Sequence, residues 1–167
     1  MGYGSYSSET YSAFTRSAST KSTSAIFEAR ETKKELKPLD LKIRESRDSV
    51  EHPMSVGVSF WLDVTGSMSD IPDFLVREKL GTLVETMLNH GLPDAQILFG
   101  AIGDHIDDDS PVQIGQFESE TSLLIKWLTD LHLEGGGGGG MCESYSLAWL
   151  VAANHFSLDC FEKRGQK

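Results

Sequence analysis

Cysteine is nearly absent: Cys142 and Cys160 are the only two, eighteen positions apart and without a CxxC pair. That excludes a disulfide framework and a cysteine-built zinc site, and it suits a reducing compartment. Long apolar runs are missing as well. None approaches the roughly 18 residues a membrane span requires, and the opening "MGYGSYSSETYSAFTRSAST" has no apolar stretch of the signal-peptide kind. The expectation is a soluble, cytoplasmic protein with no membrane partner. Five prolines and sixteen glycines show no fibrous repeat. Positive charge is scarce where the core should lie: residues 51–167 hold six Lys/Arg against eighteen Asp/Glu, whereas residues 1–50 hold nine against seven. So acidic a body repels phosphate backbones, which argues against nucleic acid as a partner.

What is present reads as three stretches. Residues 1–37 are rich in Ser, Thr and Tyr and are expected to form a disordered tail, with a short helix possible over Ala29–Lys37. In residues 38–53, Leu39, Leu41 and Ile43 alternate with charges, which suggests an edge strand or an extended arm. Residues 54–167 carry the core pattern. "SVGVSFWLDV" is apolar on both faces, as in a central strand of a covered parallel sheet. A helix follows, with Ser69 or Asp70 as its cap, Pro72 in its first turn, apolar residues from Phe74 to Leu88 and a stop at Gly91.

Ala95–Gly103 and Val112–Phe117 read as two more strands, with the acidic "DHIDDD" (Asp104–Asp109) as a solvated hairpin tip between them. Its spacing does not fit a calcium loop. Ser119–Leu133 is an amphipathic helix; six glycines and a further helix, Glu143–Phe156, follow it. Trp127 and Trp149 are expected in the core. The order predicts an α/β fold: an open, mostly parallel Rossmann-like sheet wrapped by helices. Because "SLDCFEKRGQK" reads as a polar connection that should feed another buried strand, the sheet is expected to be incomplete at the C-terminus.

One constellation carries chemistry. In "DVTGS", Asp63 ends the first core strand, Gly66 lets the chain turn, and Thr65 and Ser67 follow at alternate positions. Ligands of open α/β sheets bind beyond the carboxyl ends of the strands. A carboxylate and two hydroxyls there supply hard oxygens of the kind Mg²⁺ takes. The competing reading is helix capping by Thr65 or Ser67. The glycine run, Gly135–Gly140, lacks the lysine pattern of a phosphate loop and reads as a flexible connection ahead of Glu143.

"DVTGSM", in this setting, resembles the metal-ion-dependent adhesion motif (MIDAS) of von Willebrand factor type A domains. "ILFGAIGDH", "IGQFE" and the glycine-rich run before "ESYSLA" further resemble a bacterial and phage-type branch of cytosolic members. The resemblance covers roughly residues 55–167. It implies Mg²⁺ (or Mn²⁺) held by Asp63, Thr65 and Ser67, and an open coordination position for an acidic residue of a protein partner. A further family ligand, a Thr before a later helix, falls on Glu143, with Ser144 beside it as the alternative hydroxyl. Glu143 is a departure, because its charge would weaken the ion's pull on an acidic partner. The family's Asp at the end of a fourth core strand has no counterpart up to Lys167.

With no nucleophile–base pair in the pattern, the expected role is binding and not catalysis. The alternative is a metal-dependent hydrolase on the same edge. A haloacid-dehalogenase-like phosphatase is disfavoured, since Thr65 stands where its second Asp would be.

Overall fold

A computed structural model describes residues 4–39, 41–66, 68, 70–105, 108–134 and 144–164. The chain has mixed α/β character, with a small, mostly parallel set of strands and helices on either side. Strand β1 is Arg44–Ser46, β2 Val56–Asp63, β3 Ala95–Ile102, β4 Val112–Ile114 and β5 Phe156–Leu158. Two sheets form. In the larger, β3 lies between β2, parallel to it, and β4, antiparallel to it; in the smaller, β1 pairs in parallel with β5. The β2–β3 register sets Asp63 opposite Ile102, so both strands end at one edge.

Alternation along β3 divides the core. Ile97, Phe99 and Ala101 point to one face, under helices α4 (Leu80–Asn89) and α5 (Thr121–Thr129), where they meet Leu80, Val84, Leu124 and Leu128. Leu98 points to the other, where it joins Ile114, Phe117, Val151 of α6 (Tyr145–His155) and Leu158. β2 is apolar on both sides for the same reason, but its position corrects the sequence reading. The central strand is β3, buried throughout, while β2 is half-buried and pairs on one side only among the described residues. Gly57 is required where the small sheet crosses β2: a Cβ there would come within 2.9 Å of Leu158 and 3.2 Å of Ser46.

The helix after β2 runs as α3 (Asp70–Phe74), a π-helical turn (Leu75–Lys79) and α4, and the chain leaves it at Gly91, whose φ of 109° suits glycine.

The expected disordered tail is corrected. Residues Ser8–Ala18 form helix α1, capped by the Ser7 side chain, which accepts a hydrogen bond from Thr10 N. Tyr11, Phe14 and Ala18, spaced i, i+3, i+7, make an apolar stripe that packs on the α4/α5 side of the core. Arg77 donates to the carbonyls of Ala18 and, at 2.9 Å, Lys21, so its cation sits at the C-terminus of α1. At the other end, Ser7 N donates to Thr121 Oγ1 at 2.6 Å. Burial of the aromatic stripe and satisfaction of these backbone groups are what order the segment. A second short helix, α2, spans Thr23–Ile26, and the helix expected over Ala29–Lys37 is only a 3₁₀ turn, Lys34–Leu36.

Three more expectations change. In the arm, Leu39 is 81% and Ile43 49% exposed while Leu41 packs, partly buried, against the core; Arg44 and Ser46 are buried. The stretch read as a polar connection contributes β5 and a single helical turn, α7 (Asp159–Glu162), and buries Leu158, Asp159 and Cys160. Trp149 stands 80% exposed on α6 and is not a core residue, whereas Trp127 is partly buried against the core.

Candidate functional site

The edge where β2 and β3 end gathers the chemistry. β2 stops because Asp63 turns its own side chain back onto the backbone. Its Oδ1 accepts Thr65 N at 3.0 Å and Thr65 Oγ1 at 2.6 Å, an aspartate turn that breaks the ladder after Val64 N has donated to Ile102 O. Met68 N then donates to Thr65 O, and the chain enters α3.

Across this edge lies the start of α6. Ser144 N donates to Gly103 O at 3.1 Å, one residue past the end of β3, and the Tyr145 hydroxyl donates to Asp63 Oδ2 at 2.7 Å. The Ser144 hydroxyl is buried and has no hydrogen-bond partner among the described residues. Asp63, Thr65 and Ser144 are thus brought to one edge. Ser67 and Glu143 lie outside the described residues.

Burial pushes the Asp63 carboxyl up, but the hydrogen bonds from Thr65 and Tyr145 outweigh it and hold the group below its usual range. Asp63 is therefore a carboxylate at neutral pH.

Two residues of this edge were not singled out in the sequence. Tyr145 follows the expected ligand positions directly, and only the crossing of α6 over the strand ends brings it to Asp63. Asp104 belongs to the stretch expected to be a solvated tip but is 4% exposed, and its backbone N–H donates to Asp108 Oδ2 at 2.6 Å. Asp109, at the far end of that stretch, is tied down too: it accepts Thr32 N at 3.0 Å and pairs with Lys37 at 3.2 Å. Ile106 and Asp107 lie outside the described residues.

The donor set agrees in type with a hard cation. Oδ1 of Asp63 spends both lone pairs on Thr65, whereas Oδ2 accepts one bond and keeps one pair. The orphaned Ser144 oxygen is a second hard donor, and a buried hydroxyl without a partner is unfavourable unless something else satisfies it. Among the described residues, no group of three or more His, Cys, Asp or Glu side chains is placed to hold a metal.

Beside the edge, Ser59, Trp61, Ile102, Tyr145, Ala148 and Trp149 line a cleft of about 320 Å³. No helix among the described residues is long and apolar enough to cross a membrane. Compared with known proteins, the chain matches no protein-family model, no curated protein and no solved structure.

Proposed function

We propose that the chain is a metal-dependent protein-interaction module of the von Willebrand factor type A kind, with a Rossmann-like sheet whose strand ends hold Mg²⁺ or Mn²⁺. The observation that carries this reading is the strand-ending Asp63, kept ionised and folded onto Thr65, at the same edge as a buried Ser144 hydroxyl that has no partner among the described residues. Asp63 through Oδ2, Thr65 and Ser144 would hold the ion, and by the resemblance Ser67 and Glu143 are the further candidates. The ion would supply a Lewis-acidic position that takes a carboxylate from a protein partner. Tyr145 orients Asp63, and Thr65 keeps it charged. On this reading the role is binding and not catalysis, as the resemblance to the adhesion motif implies.

Calorimetric titration with Mn²⁺ and Mg²⁺ tests the proposal. Saturable binding is expected for the natural chain and none for Asp63→Ala, with circular dichroism unchanged. Equal affinity in the two proteins would reject Asp63 as a ligand. Turnover of a generic phosphoester panel with Mg²⁺ present would favour a hydrolase instead.

A further inference from the structure

The chain gathers positive charge around one buried arginine, beside the acidic stretch that Lys37 reaches at Asp109. Arg44 opens β1 and is 9% exposed. Its guanidinium donates through Nη2 to two neutral carbonyls, Glu35 O at 2.6 Å and Ile114 O at 3.0 Å. Its Nε is buried without a partner, and no carboxylate forms an ion pair with it among the described residues. Burial alone lowers its pKa, as expected of a cation that has left water without a counter-charge.

Such a group is unfavourable unless an anion joins it. The place for one is present. Arg44 lines a cleft of about 470 Å³ together with Lys34, Lys37, Lys42, Glu35 and Leu41. Lys34 and Lys42 are exposed and form no ion pair among the described residues, and Lys37 reaches Asp109 at 3.2 Å. In a chain of net charge −10, this is a local excess of cations. Leu39 and Ile43 stay exposed where Arg44 turns in.

We infer that this cleft is an anion site for a phosphate group, in which Arg44 and the amines of Lys34 and Lys42 converge on one dianion. Arginine offers a planar set of donors that matches phosphate oxygens, and lysine adds mobile point charges. A phosphodiester polymer is disfavoured by the acidic body, which leaves free phosphate or a small phosphomonoester. This site is separate from the Asp63 edge and does not depend on the reading given to that edge.

The test is an NMR titration of the ¹⁵N-labelled chain with inorganic phosphate, and in parallel with phenyl phosphate, at ionic strength matched by sodium chloride. Saturable shifts centred on Lys34, Lys42 and Arg44 are expected. A Lys34→Gln/Lys42→Gln variant, altered only at exposed positions, should bind about tenfold more weakly, as the loss of charge-assisted contacts implies. Tighter binding of phenyl phosphate than of phosphate would identify a phosphomonoester as the source, and the reverse would identify free phosphate. Shifts that rise linearly and match those of chloride, or saturable binding that the double variant leaves unchanged, would overturn the proposal. Arg44→Met, where it folds, should abolish binding.

Discussion

At the scale of single residues, Asp63 is governed by its neighbours. Tyr145 donates one of three hydrogen bonds that keep the carboxyl low, while burial acts in the opposite direction. Tyr145→Phe should therefore raise the Asp63 pKa without moving the backbone, and a ¹³C titration of the aspartate carboxyls would detect it. An unchanged value would mean that Thr65 alone keeps the group ionised. Glu143 makes a second residue-scale case. If it joins an ion at this edge, Glu143→Thr should retain metal binding and tighten the grip on an acidic peptide, because one negative charge leaves the ion's surroundings. If it serves only the start of α6, the swap should alter stability by about 0.3–1 kcal/mol and leave both affinities as they were. Calorimetry with Mn²⁺, followed by a glutamate-bearing peptide, separates the two.

Elements show how α1 is held. Gly81 lies beneath it, and a Cβ at that position would stand 2.6 Å from Tyr11 Cε1 and 2.9 Å from the Tyr6 hydroxyl oxygen. Tyr6 is itself part of the packing: burial first, then the nearby Glu85 charge, pushes its pKa up to about 12. Alanine at position 81 would gain up to about 1 kcal/mol in helix propensity within α4. Overpacking against two aromatic rings costs about 1–3 kcal/mol, so the clash should prevail or the rings must leave. Gly81→Ala is expected to undock α1, with faster hydrogen exchange over residues 8–18 and slow exchange retained in β3. Unchanged protection of residues 8–18 would show that α1 is not held through Gly81.

For the molecule as a whole, Asp159 joins distant parts of the chain. Its buried carboxylate accepts Asp48 N at 2.9 Å and pairs with Arg47 at 2.9 Å and Lys163 at 2.5 Å, tying α7 to the connection between β1 and β2. Burial raises its pKa, yet the Lys163, Asp48 and Arg47 contacts outweigh that and bring it to about 2. A carboxyl whose pKa is lower folded than unfolded contributes stability above its unfolded pKa, near 4, and loses it as the pH falls toward 2. Thermal melts should thus show a steep loss between about pH 4 and pH 2. Asp159→Asn should flatten that loss while costing about 1.5–3 kcal/mol at neutral pH, from the loss of charge-assisted hydrogen bonds to the partly exposed Arg47 and Lys163. Equal slopes in the two proteins would assign the acid sensitivity to other carboxyls.

Much of the local structure was legible in the sequence. An apolar run rich in β-branched and aromatic residues marked β2, the 3/4 spacing marked α4 and α5, and an aspartate ending an apolar run marked the edge where Asp63 and Thr65 meet. These signals are strong because each is set by a single element's period and by which of its faces must leave water. What the sequence could not decide depended on residues far apart in the chain. The stripe of Tyr11, Phe14 and Ala18 is short and lies among hydroxyl residues, and it becomes a reason to fold only once Gly81 and Arg77 offer it a surface. Arg44 turns inward because the carbonyls of Glu35 and Ile114 await it, which no alternation of leucines announces. Trp149 stays in solvent and Tyr145 reaches Asp63 because α6 crosses the strand ends at one particular rotation. Periodicity specifies which residues share a face, whereas the partner for that face is specified only when the whole chain has packed.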